Sequence, residues 1–260
     1  MRRPEPPSPV DNPLSGSWCN ADAVTSSAME AVSFVTPVLE RFFIATVADA
    51  LSRKRPSELD QRGRQFLLEE AQHSRAHQRF NSSLLDYLGN APPGLAIVQS
   101  LLEVAGRRLT LSGRLLLAAT LEHLAAVWSK YYLLRERHWS FRSKLARELF
   151  SRHAREELAH RSVAFDLWQC EGSGDRLPRT LALLLVLVVG LSYLAVALPW
   201  IVHCKAHRRP AKTFVHLVGF VARRRNTPRI PSPVGELFLF TRRNFHPRSL
   251  IAEDLSEATS

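Results

Sequence analysis

The hydrophobic pattern along the chain has one period, that of a helix. Apolar residues recur at three- and four-residue spacing, and no stretch shows strand-type alternation or a hairpin signal. A first helix is expected to start near Pro37, a good first-turn residue, and to stop by Arg55-Pro56. Ser57 with Asp60 reads as a capping pair opening a second helix, which runs to about Leu88 before GNAPPG breaks the chain. A short helix near 95–106 follows, then long ones from about Ser112 to Arg137 and from about Phe141 to Gln169. Four long helices and one short one predict an all-α helical bundle.

Two of these helices carry a polar stripe among apolar positions. The first is Glu70-x-x-His73-x-x-x-His77 and the second His153-x-x-x-Glu157-x-x-His160. On a helix, residues spaced i, i+3, i+7 or i, i+4, i+7 fall within roughly 60° of one another. Each stripe therefore aims three metal-ligand side chains the same way, and burying it without a partner would be unfavourable. One Glu-x-x-His alone is usually a solvated face, but a pair with extra stripe histidines is a far more specific signal.

A di-metal carboxylate bundle needs a Glu, a Glu-x-x-His, a second Glu and a second Glu-x-x-His from four successive helices. Glu40, in TPVLERFFIATV, and Glu122, in LLLAATLEHLAAVW, supply the single glutamates in the required order. Ala118, Ala119, Ala125 and Ala126 surround Glu122 and leave room for an ion and a ligand. His77 and His153, one turn beyond the standard set, are further candidate ligands or pocket-lining groups. Glu69 and Glu156 precede the ligand glutamates and can orient a ligand histidine from behind. Asn81, four residues past His77, is expected at the pocket mouth. His123 sits about 100° off the Glu122 direction and reads as structural or supporting, Asp166 as a local hydrogen-bonding residue, and His203, His207, His216 and His246 as interfacial or surface groups.

Hydropathy adds a second theme. Leu181–Val202 is an uncharged run of 22 residues, about 33 Å of helix and enough to cross a bilayer core. A shorter apolar stretch, Thr213–Ala222, with Pro199 and Pro210 nearby, allows a monotopic hairpin instead of a span. Of the net charge of +11, residues 204–250 contribute +10, from eleven Lys/Arg against Glu236. Beside a membrane segment, such arginines interleaved with apolar residues suit anionic lipid head groups better than nucleic acid. Three cysteines are too few for a disulfide framework and lack metal-binding spacing, which suggests a reducing compartment. The polar, proline-rich opening reads as a disordered leader over residues 1–30 and not as a secretory signal. The expected organisation is thus leader 1–30, di-metal bundle 31–175, membrane-associated helix 176–204 and a basic C-terminal region 205–260 at the membrane surface, with the bundle cytosolic.

PVLERFF, EEAQHSRAHQRFN, TLEHLAA and HAREELAHRSVAFD, with the hydrophobic segment and Phe245-His246-Pro247, together resemble the bacterial family called predicted metal-dependent hydrolases, which is similar to the ferritin-like di-iron proteins. The resemblance covers about residues 30–250; Leu39 stands where that family usually has glycine before the glutamate. It implies Glu40, Glu70, His73, Glu122, Glu157 and His160 as metal ligands, with His77 and His153 as additions. Two divalent ions are the expected cofactors, iron first, with manganese and zinc as alternatives. Mixed Glu/His ligation in an apolar bundle favours an O2-activating oxidase or oxygenase on a hydrophobic substrate, with an electron donor as a further partner. The alternative is a hydrolase using metal-activated water, and the third reading is a non-catalytic metal-binding membrane protein.

Overall fold

Nine α-helices form among the described residues, which are 14, 16–171, 176–224 and 233–250 of the computed structural model. They are α1 (Ala23–Leu51), α2 (Ser57–Leu88), α3 (Leu95–Arg108), α4 (Leu111–Leu134), α5 (Lys144–His160), α6 (Val163–Cys170), α7 (Arg176–Lys205), α8 (Pro210–Arg224) and α9 (Val234–Leu239). Helices α1, α2, α5 and α4 pack in that cyclic order as a four-helix bundle, so the all-α expectation holds. Local chemistry sets the helix ends. Asp22 accepts from the Thr25 N–H at the start of α1, Ser143 from Ala146 at the start of α5, and Gly89 closes α2 with φ +80°. Ser57 is the first residue of α2 and makes no capping bond; Asp60 instead pairs with Arg64.

Helix α1 starts fourteen residues earlier than the proline suggested, and Pro37 lies inside it. A proline cannot donate to the carbonyl four residues back, here that of Ser33. The Asn81 side-chain amide of α2 donates to that carbonyl at 2.8 Å and replaces the missing bond. The reading of residues 1–30 as a leader with little structure is also corrected within the described part. Trp18 is fully buried, its ring within 6.0 Å of Phe80, Phe141 and Phe150, and its Nε1–H donates to the buried Glu30 at 2.5 Å.

The single helix expected over 141–169 is two, α5 and α6, separated by a turn at Arg161-Ser162. Arg62 holds that turn through Ser162 Oγ at 2.7 Å. Part of the basic C-terminal region packs on the bundle. Phe240, Phe245 and Leu250 enter the same core as Trp168 and Leu183. His123 Nε2–H donates to the backbone oxygens of Glu236 and Leu237, Arg179 donates to the Arg242 carbonyl, and His246 pairs with Asp166 at 2.8 Å. Residues 233–250 thus form a strap across α4, α6 and the first turn of α7.

Candidate metal centre

The two polar stripes face each other across the α2–α5 seam. Glu70, His73, Glu157 and His160 each offer a donor atom within 4.8 Å of the others' donors. A second group, Glu40, His73 and His153, shares His73 with the first. The shortest approaches are His160 Nε2 to Glu70 Oε1 at 3.3 Å and His153 Nε2 to Glu157 Oε1 at 3.4 Å. Glu122 lies outside both tight groups, yet its charge is felt by Glu70, and Glu122 in turn feels Glu157. One Glu122 oxygen takes a long 3.4 Å bond from the Ala164 N–H at the start of α6, and the other has no partner among the described residues. His77 stands beside His153, ring centroids 4.9 Å apart.

Two hydrogen bonds fix which histidine nitrogen faces inward. His73 Nε2 lies 2.5 Å from Glu156, so its proton sits there and Nδ1 turns its lone pair toward Glu70 and Glu157. Ser33 Oγ–H donates to Asn81 Oδ1 at 2.7 Å and must therefore accept from His77 Nδ1–H at 2.8 Å. His77 Nε2 is left with a free lone pair. Glu156 thus stands where an orienting carboxylate was expected. Glu69 does not: it is 4.0 Å from His160 and accepts instead from Gln65 at 2.6 Å. Asn81 is buried between α1 and α2 and positions Ser33 and His77, so it does not line a pocket mouth. Ser33 was missed by sequence reasoning. It lies on the Glu40 stripe, two turns upstream, and a longer α1 would have exposed the pattern.

The donor atoms are buried and unsatisfied. Among the described residues, both oxygens of Glu70, Oε2 of Glu157, Nδ1 of His73 and both nitrogens of His160 find no hydrogen-bond partner. The Glu40 oxygens also lack a bond of good geometry, although the Ser74 hydroxyl lies near. Burial, reinforced by the neighbouring Glu157 charge, pushes the carboxyls of Glu40, Glu70 and Glu122 well above the usual range. Burial also lifts Glu157 to about 8. The histidines move the other way, again mainly through burial: His77 and His160 fall to about 3, and His73 and His153 are lowered too. Without cations the cluster favours neutral forms of every member. Four ionised carboxylates would balance two divalent ions, and the unpartnered atoms are of the right type to receive them. The residues present therefore fit divalent metal.

An all-helical bundle enclosing a buried Glu/His cluster suited to divalent metal is the class that fold and site define. The chain belongs to the family described as "Predicted metal-dependent hydrolase", whose sequence model matches residues 7–250. Comparisons with curated proteins and with solved structures give no match.

Proposed function

We propose that this protein is a metal-dependent hydrolase acting on a hydrophobic, lipid-like substrate with two divalent ions held inside the bundle. Glu40, Glu70, His73, Glu122, Glu157 and His160 would hold them, with His77 Nε2 and His153 as further donors. The observation that carries the reading is the set of buried, unpartnered donor atoms converging from α1, α2 and α5. Bound divalent ions supply Lewis acidity, making water nucleophilic at neutral pH and polarising the oxygen of the group under attack. The chain's own part is positional. Glu156 keeps the His73 proton outward, Ser33 does the same for His77, and Phe66 and Phe150 pack edge-on against His160 and His77 to hold those rings. Hydrolysis also needs water to arrive. The cluster's outer edge carries partly exposed side chains, Glu156 at 33% and His153 at 17%.

A second reading, an O2-activating di-iron oxidase or oxygenase with an external electron donor, draws on the apolar core of the bundle, where Phe43, Phe66, Ala118 and Ala126 are buried. Anaerobic purification in detergent, metal analysis and exposure to O2 separate the two. About two metals per chain, indifferent to O2 and turning over hydrophobic ester or phosphoester substrates, support the hydrolase. Two irons with an O2-dependent absorption change replace it with the oxidase, and bound metals without either activity leave a metal-binding protein. The cellular setting that goes with either enzyme is the cytoplasmic membrane, bundle on the cytosolic side, where exposed arginines meet anionic lipid.

A further inference from the structure

Helix α7 is apolar on two opposite faces, and among the described residues only one of them is packed. Among its buried positions, Arg179, Leu183, Val186, Tyr193, Ala197 and Ile201 lie three, four or seven residues apart and form one stripe. That stripe lies along the bundle for its whole length. Leu183 joins the cluster holding Phe42 and Val47, from the later part of α1. Tyr193 Oη–H donates to the Ala31 carbonyl at 2.9 Å, and Lys205 pairs with Glu30 at 2.8 Å, both near the start of α1. Helix α7 therefore runs alongside α1 rather than away from the bundle.

This placement conflicts with a simple span. If α7 crossed a bilayer, α1 and its neighbour α2, with α5 beyond, would share the hydrocarbon slab. Their far sides expose Arg64, Arg75, Arg79, Arg147, Arg152 and Arg155, and each arginine at mid-bilayer is strongly unfavourable. On the other face of α7 no helix packs among the described residues. Leu181, Leu185, Val188, Leu191 and Val196 are each more than half exposed and share that side. Helix α3 packs beside α7 and exposes Ile97, Leu101 and Val104 along its own stripe, opposite a polar edge of Gln99 and Glu103. Helix α8, folded back on α7, exposes Phe214, Val215 and Val218. Neither α7 nor α8 contains an acid, while Arg176, Arg107, Arg108, Arg208, Arg209 and Lys212 are exposed at the ends of these helices.

We infer that α3, α7 and α8 form a docking face that lies in the plane of one leaflet of an anionic bilayer, without crossing it. The fit is that of an interfacial protein: an apolar face about 5–10 Å deep in the head-group boundary, rimmed by cations. The inference deepens the membrane setting proposed above and is independent of the metal chemistry. It replaces the span-or-hairpin alternative left by the sequence with a geometry in which residue depth along α7 is constant.

The test reads depth directly. In a Cys170→Ser background, where the remaining cysteines Cys19 and Cys204 are buried, Leu181→Cys, Leu191→Cys and Leu101→Cys variants of the full chain are labelled with a fluorophore. Each is mixed with phosphatidylglycerol/phosphatidylcholine vesicles containing lipids spin-labelled near the head group or deep in the acyl chain. All three labels are expected to be quenched most by the shallow spin label, at a common depth. Binding is expected to be at least about 100-fold weaker on pure phosphatidylcholine. A label at 191 quenched from the bilayer centre, with 181 at the surface and 101 in water, would overturn the in-plane geometry while leaving membrane association standing. Three unquenched labels on a self-associated protein would show that a second copy covers this face, and would remove the lipid surface altogether. Circular dichroism and metal content serve as fold controls, so failure here is separable from failure of the enzymatic reading.

Discussion

Replacing Glu157 by glutamine should make the metal-free protein more stable at alkaline pH while removing its response to metal. Glu157 is buried at the centre of the cluster, and burial lifts its carboxyl from 4.5 to about 8. Between those values the folded chain holds a proton that the unfolded chain releases. Its stabilising share is therefore complete below pH 4.5 and is lost as pH rises through about 8. Each tenfold change in proton affinity is worth about 1.4 kcal/mol, so the full loss is about 5 kcal/mol. Over pH 5.5 to 8.5 it is about 3 kcal/mol, or about 6–12 °C of Tm for a chain of this size. Glutamine does not ionise, and Glu40 and Glu70, relieved of the Glu157 charge, shift in the same direction. The buried histidines destabilise both proteins equally on the acid side and cancel in the comparison. The assay is thermal unfolding followed by circular dichroism, in detergent with excess chelator, at several pH values. The Glu157→Gln protein should melt progressively higher than the parent as pH rises, and added metal should raise only the parent. A gap that stays constant with pH, or closes at alkaline pH, refutes a carboxyl held neutral by its surroundings.

Glu156→Ala removes the acceptor that orients His73 and should weaken metal binding about 10–100-fold in chelator competition, whereas Glu156→Gln, which keeps an acceptor oxygen, should recover most of it. Trp18→Ala opens a cavity against Phe80 and Phe150 and should lower stability by about 3–5 kcal/mol; unchanged unfolding would show that residues before α1 are not part of the core. Asp166→Asn weakens the contacts with Arg62, His246 and Arg248 and should speed amide exchange across 233–250 without changing metal content.

The Glu/His cluster was legible because it is built from helical periodicity, a local property. Two Glu-x-x-His stripes announce themselves within eight residues each, and the Glu40 stripe needs only a knowledge of where its helix lies. What decides the roles of neighbouring acids is not local. Glu69 and Glu156 hold equivalent sequence positions, yet only Glu156 comes within hydrogen-bond distance of a histidine across the seam, while Glu69 stops 4.0 Å from His160. The start of α1 was misplaced because Pro37 reads as a first-turn residue, and the group that makes it tolerable in mid-helix comes from α2. The C-terminal strap was hidden by its own arginines, whose charge outweighed Phe240 and Phe245 in the hydropathy pattern. The length of the apolar α7 segment was plain, but its sideways attachment to the bundle depends on which face carries Tyr193 and Lys205.

Pro37 and Asn81 have a consequence for how such chains can vary. The proline frees the Ser33 carbonyl, the asparagine occupies it, and the same asparagine sets the hydroxyl that turns His77. A residue with an N–H at 37 would bring a second donor to that carbonyl, which can accept two, while loss of Asn81 would leave the proline with an orphaned acceptor. The two positions form a single heritable unit, 44 residues apart in the chain. Across related sequences a proline at 37 should be accompanied by a side-chain donor at 81.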